Sequence, residues 1–130
     1  MKTLLTIFTL VFTLMFSSTS FAEWTKVEIS IDGDTFYVDL DRLRKHDGYV
    51  YFWSLTDFLK PDEYGDLSGK RYVQGDCGLF RVKVLQYVYH KQPMGRDVGE
   101  TSEPVNKNWR YPQPDTIGES ILKSVCRVTE

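Results

Sequence analysis

Four side chains in this 130-residue sequence are of the types that thiol, metal or nucleophilic chemistry uses: Cys77, Cys126, His46 and His90. A thiol–disulfide exchange site needs two cysteines on one turn, C-x-x-C, so that one thiolate resolves the other. Cys77 lies in "VQGDCGLF" and Cys126 far along the chain in "ILKSVCRV". A structural zinc site needs four N or S ligands, and neither histidine forms a ligand pair with a cysteine. A serine or cysteine nucleophile needs a base beside it. There is no G-x-S-x-G. His46 falls in the charged "RKHDG" and His90 ends a strand-like run, so both are expected at the solvated surface. "DGDTFYVDLD" departs from the EF-hand spacing at Phe36. Carboxylate pairs such as Asp62 and Glu63 lack the apolar surroundings that raise a catalytic pKa. These features predict a non-enzymatic protein with no metal and no cofactor.

The compartment sharpens the reading of the cysteines. Lys2, the 13-residue apolar run "LLTIFTLVFTLMF" and the small residues Ser20 and Ala22 have the layout of a secretory signal peptide cut after Ala22. The run is too short to span a bilayer comfortably, and nothing later is long enough to try. No cysteine stands at the predicted cut, so no lipoprotein anchor is expected. The exported chain is then periplasmic, secreted or held peripherally at the cell surface. Disulfides persist in those compartments. With redox and metal spacings absent, a Cys77–Cys126 cross-link is expected.

Residues 23–130 are 108 in number, enough for one domain with one core. Without Lys2 they carry 15 basic and 18 acidic residues, a formal charge of −3, which argues against nucleic acid as a partner. "WTKVEISI" alternates, placing Val27, Ile29 and Ile31 on one face of a strand. Asp32 to Asp34 signals a turn, and "TFYVDL" completes a hairpin. In "DLDRLRKHDG" the alternation breaks; Asp39 or Asp41 is placed to cap one helical turn, with Leu43 inward and Gly48 at the end. "YVYFWSLTDFL" is apolar on both faces, as a central strand is. "KPDEYGDLSG" reads as a loop, "KRYVQ" as a short strand and "LFRVKVLQYVYH" as a long one, with Phe80, Val82, Val84 and Val88 on one face. From Lys91 to Asp115 the pattern is lost in a long loop with one short strand around Trp109. Thr116 and Glu119 form a T-x-x-E capping box. Ile117, Ile121, Leu122, Val125 and Cys126 then fall on one helical face. A disulfide to Cys77 would clamp that helix onto the sheet.

With catalysis set aside, the informative residues are those suited to binding. One candidate surface is the strand face with Arg81 and Lys83, joined by Lys70 and Arg71 from the preceding strand. The other is the long loop, where Arg96, Lys107, Trp109, Arg110 and Tyr111 are residue types that concentrate binding energy. Each has a plainer reading: an ordinary solvated face for the first, and Trp109 covering the core for the second. Edge strands offer a third route, by strand addition or homodimer formation.

The order of these features resembles a known family. Tyr37 and Asp39 with Gly48 and Trp53, the Asp76-Cys77 pair, Met94-Gly95 and the closing "IGESILKSVC" resemble the bacterial surface-adhesin protein E family across essentially all of residues 23–130. The resemblance implies an α+β fold: an antiparallel sheet of about six strands with a C-terminal helix on one face, tied by the disulfide. It also implies a cell-surface binding role toward host matrix or plasma proteins. The family's namesake is lipid-anchored, and this chain departs from it in having no cysteine at the signal cut. The alternative expectation is a periplasmic accessory domain that binds the cell's own envelope proteins or a small ligand.

Overall fold

The computed structural model describes residues 23–130; the expected signal segment and its cut at Ala22 lie outside them. Seven antiparallel strands form one sheet: β1 (Thr25–Ile29), β2 (Thr35–Val38), β3 (Arg44–His46), β4 (Tyr49–Asp57), β5 (Ser68–Asp76), β6 (Arg81–His90) and β7 (Glu100–Ser102). Their order is β1-β2-β4-β5-β6-β7, and β3 pairs with the first half of β4 beside β2. One helix, α1 (Ile117–Thr129), follows. The α+β class, the C-terminal helix and the Cys77–Cys126 disulfide are as the sequence implies.

The helix lies on the face formed by alternate residues of the central strands. Val38, Val50, Phe52 and Val73 from the sheet pack with Ile121, Leu122, Val125 and Cys126 from α1. Thr116 caps the helix by accepting from the Glu119 N–H at 3.3 Å, while the Glu119 carboxylate accepts from Asp115 N–H. The capping box therefore sets where α1 starts, and its apolar stripe sets which side faces the sheet.

Several local expectations are corrected. The one-turn helix is a 3-10 turn, Leu40–Arg42, and Asp39 makes no capping hydrogen bond to it. After it comes β3, an added seventh strand: Asp47 and Gly48 both have positive φ, 50° and 82°, and close a tight β3–β4 hairpin of the Asp-Gly kind. Ile29 and Ile31 are exposed rather than inward, because a bulge between Lys26 and Glu28 breaks the alternation of β1 and leaves only Val27 on the core. The "KRYVQ" strand is longer, running from Ser68 to Asp76. The short strand around Trp109 reduces to one bridge, Val82 with Arg110, and a separate strand, β7, pairs with Tyr87 to Tyr89.

A second bulge decides which side chains share a face. Tyr72 pairs with Gln86 but Val73 pairs with Val84, so Leu85 is the extra residue in β6. The parity of the strand flips there. Val82 and Val84 remain under α1, whereas Val88 turns to the opposite face.

Candidate functional site

The face that α1 leaves uncovered divides into two ends. At one end the chain after β6 folds back over it. Met94 N–H donates to the Asp57 carboxylate at 2.8 Å, and Gly95 N–H to Ser68 Oγ at 2.9 Å, while Ser68 itself donates to the Gln92 carbonyl. His90 lies beneath this cover, fully buried, with Nδ1–H donating to Asp97 at 2.9 Å. His90 is thus a buried structural residue and not the solvated strand-end histidine its sequence position suggests. Ser68, His90 and Asp97 have the residue types of a catalytic triad. Ser68 and His90 are wholly enclosed, however, and the Ser68 hydroxyl is spent on backbone partners, so no substrate atom could reach it.

The other end is open and aromatic. Pairing places Tyr49, Tyr51 and Trp53 of β4 beside Tyr72, Gln74 and Asp76 of β5, and these beside Arg81 and Lys83 of β6. The rings stack across strands, with centroids 6.2 Å apart for Tyr51–Tyr72 and 4.9 Å for Trp53–Tyr72. Trp109 then swings in from the sheet edge. Hydrogen bonds of 2.8 Å in both directions between Val82 and Arg110 hold its backbone. Its ring lies 4.2 Å from the Arg81 guanidinium, 4.6 Å from the Lys83 ammonium and 5.4 Å from the Tyr49 ring. Arg44 sits over Tyr51 at 5.1 Å. Cation–π attraction of this kind contributes about 0.5–2 kcal/mol per pair and holds both partners in place. Trp109 therefore packs on the helix-free face rather than on the core beneath α1.

Arg81 is fixed further by Asp76, whose carboxylate accepts from Arg81 Nε at 2.9 Å and from Leu79 N–H at 3.1 Å. The Leu79 amide first, and then Arg81, hold the Asp76 pKa below the usual carboxylate value against the desolvation that would raise it. Asp76 in turn raises the Arg81 pKa. A carboxylate with a depressed folded-state pKa stabilises the fold above its unfolded value of about 3.9, and that stabilisation is lost as pH falls through the folded value. The melting temperature gap between wild type and Asp76→Asn is thus expected to be widest near neutral pH and to close as the pH falls below the ordinary carboxylate value of about 3.9 and through the lower folded one. A gap that stays constant on acidification would show that the charge of Asp76 contributes nothing.

The nine residues singled out from the sequence do not form one surface. Arg81, Lys83 and Trp109 come together on the open face, with exposed Tyr111 near Arg81. Lys70 is on the same face but at its covered end, where burial lowers its pKa while Asp97 works to raise it. Arg71 points the opposite way, toward α1, since neighbours in a strand alternate. Arg110 lines the α1 side as well. Arg96 is exposed on the covering segment, and exposed Lys107 pairs with Glu103 at 3.1 Å. Tyr49, Tyr51, Tyr72 and Arg44 join this face without being candidate binding residues in the sequence, and Trp53 is marked there only by the family resemblance. For Tyr49, Tyr51 and Trp53 the signal is an aromatic at every second position, masked by a run apolar on both faces; Tyr72 and Arg44 carry no such signal.

The family model for surface-adhesin protein E matches residues 24–127. This chain belongs to the surface-adhesin protein E family. Its fold is similar to that of Haemophilus influenzae protein E in crystal form II, at a TM-score of 0.60 and 12% identity, covering 84% of this chain and 91% of that one. A structure of protein E from non-typeable Haemophilus influenzae gives a TM-score of 0.53 and 12% identity, covering 85% of this chain and 76% of that one. No curated protein matches the chain in sequence. Among the described residues, no helix of this family member is long and apolar enough to cross a membrane, and no group of three or more His, Cys, Asp or Glu side chains is placed to hold a metal ion.

Proposed function

We propose that the chain is a non-enzymatic, adhesin-like protein that works outside the cytoplasm and binds a host matrix or plasma protein through the open face of its sheet. The observation that carries this reading is the cluster of Tyr49, Tyr51, Trp53, Tyr72 and Trp109 interleaved with Arg44, Arg81 and Lys83. Aromatic residues and arginine are enriched at the centres of protein interfaces. These side chains are already held by one another and by the Arg81–Asp76 pair, so little side-chain freedom is left to lose on binding. Lys83 and Arg44 make no salt bridge among the described residues, which favours acidic groups on the partner. Pairing of sheet edges between two copies is the weaker route, because β1 has five residues and a bulge and β7 has three.

Solid-phase binding to matrix and plasma proteins, with surface labelling of intact cells, tests the reading. Trp109→Ala is expected to weaken binding by about 30-fold, the loss of one hot spot of about 2 kcal/mol, while Arg96→Ala changes it little. Full binding by Trp109→Ala would remove the open face from the interaction. A protein that labels only after the cells are opened, and that captures an envelope protein of the same cell, would replace the adhesin role with an accessory one.

A further inference from the structure

On the α1 side of the sheet, a pocket of about 230 Å³ opens between the first turns of the helix, strands β4 to β6 and the segment from Arg110 to Pro112. Phe52, Val73, Val82, Val84, Ile121 and Leu122 make its walls apolar. Two cations line it, Arg71 and Arg110, and no carboxylate does. Arg71 makes no salt bridge among the described residues. It is set between the Ser54 and Tyr87 positions of the neighbouring strands. Burial, its largest influence, pulls the Arg71 pKa below the ordinary arginine value, against smaller charge interactions with Tyr87 and Tyr89 that raise it. The half-buried guanidinium has lost part of its hydration and is paired with no carboxylate within salt-bridge distance among the described residues. Such a group favours an anion that can accept two parallel hydrogen bonds, as a carboxylate does.

We propose that this pocket is a binding site for a small apolar carboxylic acid, its carboxylate on Arg71 with Arg110 at the rim and its hydrocarbon part against Val73, Val84 and Leu122. The size is set by the cavity. Benzene fills a cavity of about 150 Å³, so this one suits an acid of about ten non-hydrogen atoms. The site lies on the opposite side of the sheet from the aromatic face, and the segment that carries Trp109 continues through Arg110 to its rim.

Amide chemical shifts of the protein titrated with octanoate, and with octan-1-ol as the same tail without the charge, test the assignment. Octanoate is expected to saturate, with shifts at Val73, Gly118, Ile121 and Leu122, and octan-1-ol to bind at least about tenfold more weakly. Arg71→Gln is expected to weaken octanoate by about tenfold and leave octan-1-ol unchanged; Arg96→Gln, exposed on the segment that covers the other face, changes neither. Equal affinity of the wild-type protein for acid and alcohol overturns the proposal without any variant. So does the absence of saturable octanoate binding, octanoate shifts confined to the Trp109 face, or binding only of peptides with a free C-terminal carboxylate.

Discussion

Replacing Cys77 and Cys126 together by serine is expected to lower the melting temperature by about 10–20 °C. The bridge joins the turn after β5 to the third turn of α1, with Cα atoms 5.7 Å apart and a sequence separation of 49. In the chain-entropy treatment, closing a loop of that length removes unfolded-state freedom equivalent to about 4 kcal/mol, and observed values for such bridges run about 2–5 kcal/mol. The loss falls mostly on α1. The helix crosses strands distant from it in sequence, so without the bridge it is held by the apolar stripe of Ile117, Ile121, Leu122 and Val125 and by Lys45 donating to the Thr129 carbonyl. Hydrogen exchange of α1 amides is accordingly expected to accelerate more than that of β4 and β5. The double variant avoids a free thiol. Equal melting temperatures for oxidised and reduced wild-type protein would show that the bridge contributes nothing to the fold.

Gly99→Ala should come close to this in effect. Gly99 has φ of +75°, a left-handed conformation that costs an L side chain about 1–2 kcal/mol. A Cβ there would lie 2.6 Å from His90 Cε1 and 2.7 Å from both His90 Nδ1 and Val88 Cγ1. The imidazole cannot retreat, since it is fully buried and tied to Asp97. Overpacking of this kind costs about 1–3 kcal/mol, for a total of about 2–5 kcal/mol. The variant should relieve the clash by lifting the 91–99 segment and exposing His90. Thermal melting measures the loss. Diethyl pyrocarbonate modification of His90 reports the exposure, being slow in wild type and fast in the variant. A variant that melts with wild type and leaves His90 protected would show that the segment does not need this close approach.

The sequence carried the frame of the molecule because that frame rests on local periodicity. The T-x-x-E box and the stripe from Ile117 to Cys126 specify a capped amphipathic helix without reference to anything else, and α1 has those limits and that buried side. The doubly apolar run from Tyr49 specifies a central strand, and β4 is one. Its second meaning was harder to see. A strand apolar on both faces does not say which face the helix takes. Only the packing of α1 on Phe52 and Val50 leaves Tyr49, Tyr51 and Trp53 for the other side.

Bulges and long-range covers lie outside any periodic pattern. The extra residue at Leu85 has no signature in "RVKVLQYVYH", yet it turns Val88 to the opposite face from Val82. His90 looks like a polar strand end until Gly95, Asp97 and Gly99 close over it. Trp109 belongs to a patternless stretch, and it reaches Arg81 and Lys83 because one backbone bridge at Val82 fixes its segment to the sheet edge. Lys70 and Arg71, adjacent in sequence, serve different faces by the pleat of the strand. The sequence by itself thus determined the family, the α+β class, the helix and its disulfide, all of which depend on residue type and spacing. Which cations and aromatics meet, and which arginines line the pocket beside α1, depended on register, bulges and loop closure, and those are settled by contacts between residues far apart in the chain.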